Sequence, residues 1–302
     1  MKTADLARGK WFGILDGLGV DKRFLDGKHG PCPFCDGDDR FRFDNKDGKG
    51  TFICNQCGAG DGFEFLKRYH SWDFRKAAQE VERIMGHVRA EPPKPAMDAA
   101  KQMELCRNLW KGSQALSGDD LASLYLMGRN VLPGRIPPCL RLHAQCPVPN
   151  GGGFLPAMLA LVVGPDGEAV NVHRTFLAEG GKADIDTPRA MMPGSVPDGS
   201  AVRLYPVHGE RIGIAEGIET AIAAAKRFKV PTWAALNSTM LEKWSPPPGV
   251  SHVVIFGDND VKFGGQAAAY ALAHRLSARL RVTTEVRIPE ITGMDWADTD
   301  AA

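Results

Sequence analysis

Long apolar runs are scarce in this chain of 302 residues. The longest strongly apolar stretch, Phe154 to Val163, is interrupted by Pro156. It is far shorter than the ~20 residues needed to cross a bilayer, so no membrane partner is expected. The opening segment, MKTADLARGKWFGILDGLGV, lacks the continuous apolar core of a secretory signal, which points to the cytoplasm. Neither sign of charge predominates: 37 Lys and Arg face 36 Asp and Glu, for a formal net charge of +1. Overall charge therefore does not announce a nucleic-acid binder, and any such function must lie in a local site. The sequence Gly-x4-Gly-Lys-Ser/Thr is absent, which excludes a P-loop motor within these residues. A composition of 43% hydrophobic and 24% charged residues excludes a wholly disordered or collagen-like chain.

Cysteine is present in an odd number, seven, which argues against a disulfide framework. Cys106, Cys139 and Cys146 are scattered and read as ordinary buried or half-buried thiols. The other four form two Cys-x-x-Cys pairs, Cys32/Cys35 and Cys54/Cys57, separated by eighteen residues. This is the spacing of a two-knuckle zinc ribbon. Four thiolates make a closed tetrahedral site with no open position for catalysis, so one structural Zn²⁺ is expected. His29 precedes the first knuckle, but the complete cysteine set makes it unnecessary as a ligand. Between the knuckles, RFRF, DNKDGKG and TFIC read as strand, turn and strand. Arg40, Arg42, Lys46 and Lys49 lie among phenylalanines there. The hairpin therefore has two readings: a single-stranded nucleic-acid surface with exposed rings, or a solvated face over core phenylalanines.

The chain divides at EPPKPAMDAA. The Pro-containing stretch 91–102 predicts a linker between residues 1–90 and residues 103–302. Within the first part, the initial 27 residues read as one amphipathic helix and residues 67–86 as another. The second part opens with a helix over 103–115. PAMLALVVGPDGEAVNVHRTFL then signals a hairpin turning at Pro165-Asp166-Gly167. From Arg211 onward, strands alternate with helices: strands at 211–215, 232–236, 251–257 and 282–288, helices at 220–228 and 265–280. That alternation predicts an α/β fold, a parallel sheet flanked by helices, attached to a β-rich zinc-ribbon domain.

Two acidic segments stand at strand ends. IAEGIETA places Glu216 just after one strand; VVIFGDNDVKFGGQ places Asp258 and Asp260 just after another. Functional groups collect at the carboxyl edge of open α/β sheets. Gathered carboxylates repel one another unless a hard cation such as Mg²⁺ or Mn²⁺ sits among them. Such a cluster suits metal-dependent phosphoryl transfer. Glu219 reads as an ordinary helix residue. Asp295 and Asp298 of GMDWAD read as supporting acids or as a polar tail.

HGPCPFCDGDDRFRF with GKGTFICNQCGAGDGFEFL resembles the zinc-binding domain of phage and plasmid primases. IAEGIETA with VVIFGDNDVKFGGQAAAYALAHRL resembles a Toprim domain, and GMDWAD is similar to the ending of phage-type Toprim primases. The segment before it, residues 103–208, is similar to the region preceding Toprim in the same family, which leaves 209–302 as the Toprim domain. The resemblance implies a DNA primase that joins ribonucleotides on a single-stranded DNA template. Glu216, Asp258 and Asp260 would hold Mg²⁺ or Mn²⁺, with Asp295 beside them. Cys32, Cys35, Cys54 and Cys57 would bind Zn²⁺, and Arg40 and Arg42 would contact template. Arg174, Lys182 and Arg203 would offer charge to NTPs or template. No motor motif is present, so a replicative helicase is the implied partner, supplied by a separate protein or by sequence outside this chain. The alternatives are a Toprim-type nuclease and a non-catalytic DNA-binding replication accessory protein. A topoisomerase is disfavoured, because none of the four tyrosines sits in a recognisable module of its own.

Overall fold

A computed structural model describes residues 3–88 and 98–299. Residues 91–97 of the expected linker lie outside the described residues, and its last residues, 99–102, belong to a helix. The chain forms two compact units that divide at residues 96 and 97.

In the first unit, the expected single N-terminal helix is two: α1 (Thr3–Ala7) and α2 (Trp11–Gly17). Gly9, at φ +75°, breaks the run between them. Three short antiparallel strands follow, β1 (Phe41–Phe43), β2 (Phe52–Cys54) and β3 (Gly58–Gly60). α3 (Gly62–His70) is capped by Asp61, which accepts from the Glu64 amide at 2.9 Å. α4 (Phe74–Met85) is capped in the same way by Asp73. The core is aromatic: Trp11, Phe41, Phe43, Phe52 and Phe65 are all buried. Gly50 (φ +70°) and Gly62 let the backbone approach Trp11, where a Cβ would lie 2.5 and 2.2 Å from the ring.

The second unit begins with α5 (Ala99–Lys111), four residues earlier than the sequence suggests. β4 (Gln114–Ala115) and α6 (Leu121–Gly128) follow, the latter capped by Asp120. An antiparallel region comes next: β5 (Leu140–Pro147), β6 (Phe154–Val163), β7 (Ala169–Ala178), β8 (Gly181–Lys182), β9 (Arg189–Met191) and β10 (Ala201–Val202). The hairpin turn falls where Pro165-Asp166-Gly167 places it. The α/β part comprises β11 (Arg211–Ala215), α7 (Ile218–Phe228), β12 (Thr232–Ala234), α8 (Ser238–Lys243), β13 (His252–Phe256), α9 (Gly264–Arg275) and β14 (Thr283–Arg287). A π turn extends α9 to Leu280.

Strands β12, β11, β13 and β14 are parallel, as expected. The sheet does not stop there. β10 pairs antiparallel with both β12 and β6, joining the two regions into one mixed sheet of eleven strands. Alternation along β13 explains its continuous apolar run. Val254 and Phe256 face the cluster built on α6 and α7, while Val253 and Ile255 face that on α8 and α9. A strand covered on both sides has no polar face to present.

Candidate zinc and acidic sites

The zinc knuckles are brought together by pairing. Gly30 bridges Phe41, and Phe41 pairs with Cys54, so the first knuckle lies beside the second. The four sulfurs all lie within 4.8 Å of one another, with Cys32–Cys57 at 3.8 Å and Cys35–Cys54 at 3.9 Å. A tetrahedron of Zn–S bonds of about 2.3 Å has edges of about 3.8 Å, so the quartet fits zinc. Backbone N–H groups of Phe34 and Cys57 donate to Cys32 and Cys54 Sγ, each at 3.4 Å. Burial opposes ionisation of Cys54, but the amides of Cys57 and Gln56 outweigh it and bring the thiol down to about 7. Arg68, held by Glu64 at 2.7 Å, donates to the Cys57 carbonyl at 3.0 Å and ties α3 to the second knuckle. His29 is not in the cluster.

The ribbon decides between the two readings of its hairpin for the phenylalanines. Phe41, Phe43 and Phe52 are 1–4% exposed and form the core, so they offer no rings to bases. Arg42 stands on the outer face opposite Ile53, which is 40% exposed. Arg40 bonds the side chain of Gln56. Lys46 and Lys49 are exposed.

In the second unit, β11 and β13 run parallel in register, with Ala215 opposite Phe256. Glu216 therefore follows one strand and Asp258 lies two residues beyond its neighbour, both at the carboxyl edge. The N-terminal turn of α9 packs directly on the Asp258 segment: a Cβ on Gly265 would lie 2.7 Å from the Asp258 carbonyl. The Gly265 amide donates to Asp260 Oδ2 at 2.7 Å, which fixes that carboxylate at the helix start. The segment Asn259–Asp260 is steadied by Gln266, whose amide reaches Asn259 Oδ1 at 2.7 Å.

The GMDWAD segment is not a loose tail. Gly293 and Met294 exchange backbone bonds with Asn259 at 2.6 and 3.0 Å, and Trp296 packs against Phe228 and Phe256. Asp295 is thereby held near Asp258. Arg129, just after α6, lies 2.9 Å from Asp298 and 3.5 Å from Asp295.

The electrostatics follow from this crowding. Burial, then the charges of Glu216, Asp295 and Asp260, push Asp258 up to about 7. Glu216 is raised by burial and by Asp260, and Asp295 by burial and by Asp298. Asp258 Oδ1 is buried without a hydrogen-bond partner. A hard-oxygen donor set with an orphaned buried oxygen fits a divalent cation. The acids are nevertheless more open than the cysteines, which form the one tightly gathered metal-ligating group among the described residues.

Two of the three predicted basic residues of this unit, Arg174 and Arg203, bond backbone carbonyls. Arg174 is 5% exposed and donates to the carbonyls of Pro147 (2.7 Å) and Met191 (2.8 Å). Its charge braces backbone rather than facing solvent. Arg203 donates to the Gly164 carbonyl at 2.6 Å and lies over Trp233. Lys182 alone borders a pocket, of about 390 Å³, formed with Arg129, Tyr125 and Gly180–Gly181. Sequence reasoning missed Glu219, taken as a plain helix residue. It is buried, pairs with Lys182 at 3.7 Å and accepts from the Tyr125 hydroxyl.

Comparison with known proteins finds family matches over both regions. Residues 27–63 match the family described as the zinc-binding domain of primase-helicase. Residues 211–301 match the Toprim domain. One chain thus matches both a primase-type zinc ribbon and a Toprim domain. Residues 100–204 match a domain of unknown function, DUF7146. Among solved structures, the chain is similar to the zinc-binding and RNA polymerase domains of the Aquifex aeolicus primase, at 16% identity and a TM-score of 0.41. That match covers 100% of this chain and 82% of the other. It is also similar to the primase fragment of the bacteriophage T7 primase-helicase, at 13% identity and a TM-score of 0.40, covering 91% and 94%. A Pseudomonas aeruginosa DNA primase domain matches at 16% identity and a TM-score of 0.35, covering 68% and 67%.

Proposed function

We propose that this protein is a DNA primase, making short RNA primers on single-stranded DNA from NTPs. The observation that carries the reading is the pairing, in one chain, of a primase-type zinc ribbon with a Toprim edge bearing Glu216, Asp258 and Asp260. Toprim alone serves several chemistries; the ribbon selects among them.

Glu216, Asp258 and Asp260 would hold Mg²⁺ or Mn²⁺. A cation there supplies charge stabilisation for attack on an α-phosphate and departure of pyrophosphate. The chain's own groups do the rest. Gly265 fixes Asp260, leaving the other carboxylate oxygen for a ligand. Arg129 restrains Asp295 and Asp298 beside the acids. Lys182, at the pocket of about 390 Å³, offers a cation to phosphate. Arg40 and Arg42 contact template phosphates from the ribbon's outer face, without stacking. A replicative helicase is the partner this reading calls for.

The test is direct. Purified protein is incubated with NTPs, Mg²⁺ or Mn²⁺ and single-stranded DNA. Short RNA that is lost in Asp258→Asn supports the proposal. Cleaved DNA, or binding without product, refutes it in favour of a nuclease or an accessory protein.

A further inference from the structure

Helix α7 starts beside Glu216 and runs away from it for eleven residues, about 16 Å. At its far end a groove of about 520 Å³ opens. Three prolines, Pro133, Pro206 and Pro231, wall it together with Leu132, Ile222 and Ala225. Its charged members are Arg135, Lys226 and Lys229, all exposed, and no carboxylate lines it. This volume is within the roughly 300–1,000 Å³ of ligand pockets. Proline walls have fixed φ and need little ordering on binding.

We propose that this groove docks an acidic peptide segment of a partner protein. An apolar side chain of the peptide would enter the groove, and flanking carboxylates would meet the three cations. Charge complementarity selects the acidic occupant. Single-stranded nucleic acid would also meet the cations, but its bases stack on aromatic rings. Here the walls are aliphatic, and Tyr205 is the one aromatic residue. The position has a functional meaning as well: a partner seated here leaves the acidic edge of the sheet open. The inference does not depend on which reaction those acids perform.

An array of synthetic twelve-residue peptides tests it, probed with the intact protein. The peptides combine acidic, neutral or basic backgrounds with a central Leu, Phe, Trp or Ser. Binding should concentrate on acidic peptides with an apolar centre. The best of these, dye-labelled, should then bind at least tenfold more weakly to the double variant Lys226→Glu, Lys229→Glu. Ala225→Trp, which fills the groove, should cause a similar loss. Unchanged thermal unfolding of the lysine variant would show that the fold survives. Three results overturn the proposal: no preference for acidic peptides, equal binding of apolar and Ser centres, or displacement of the peptide by a twelve-residue oligo-dT that itself needs Lys226 and Lys229.

Discussion

Lys182 and Glu219 form an ion pair at 3.7 Å that joins strand β8 to the first turn of α7, one turn beyond Glu216. Tyr125, from α6, completes the contact by donating to the same carboxylate. Burial opposes the Glu219 charge, yet Lys182 and Tyr125 keep its carboxyl below the usual range. Removing the carboxylate strands a lysine and a hydroxyl. Glu219→Ala should therefore cost about 3 kcal/mol in urea unfolding of the second unit. Glu219→Gln, which still accepts from Tyr125, should cost less. Equal stability of Glu219→Ala and the unaltered protein would refute this account.

The zinc ribbon gives a second prediction. Cys54→Ser should abolish Zn²⁺ retention, measured by elemental analysis, and leave residues 28–66 unprotected in hydrogen exchange. Metal binding to small ribbons contributes on the order of 10 kcal/mol to their folding. The second unit has its own cores and should keep its thermal transition. Full Zn²⁺ content in the variant would contradict the assignment of ligands.

Asp258 supplies a third, with a definite sign. Its carboxyl is raised to about 7, whereas an unfolded chain has an Asp near 3.9. Without Mg²⁺, stability should be lowest above pH 7 and rise as pH falls toward 4, by at most about 4 kcal/mol. Asp258→Asn should flatten that dependence and unfold at higher temperature than the unaltered protein at pH 8. Mg²⁺ should stabilise the unaltered protein and not the variant. Primer synthesis by Asp258→Asn should fall by at least 100-fold. A variant equally stabilised by Mg²⁺ would remove Asp258 from the cation site.

The ribbon arginines give the fourth. Replacing Arg40 and Arg42 with Ala should weaken single-stranded DNA binding and lower its salt slope by about 1.4, the contribution of two phosphate contacts. Fluorescence anisotropy across a salt series measures it. An unchanged slope would leave the ribbon a structural module.

The elements that sequence made legible are those governed by local pattern. Cys-x-x-Cys turns, the Pro165-Asp166-Gly167 hairpin and the strand ends at Glu216 and Asp258 are all encoded within a few residues. What was hidden depends on distant partners. Arg174 has the composition of a surface cation; its burial follows from carbonyls of Pro147 and Met191, 27 and 17 residues away. Glu219 acquires its role from Tyr125 and Lys182 on other elements. RFRF left two readings open because alternation reveals two faces without saying which is buried. The mixed sheet escaped notice because β10, the strand that joins its halves, has only two residues.

Strands β11 and β13 are each five residues long and pair end to end, from Arg211 with His252 to Ala215 with Phe256. They act as a ruler for the acids that follow them. A substitution inside either strand disturbs packing but leaves the relative height of Glu216 and Asp258 unchanged. Deletion of a single residue would draw one carboxylate back by about 3.3 Å relative to the other and exchange the strand's two apolar faces. This edge of the molecule therefore tolerates changes of spelling far better than changes of length.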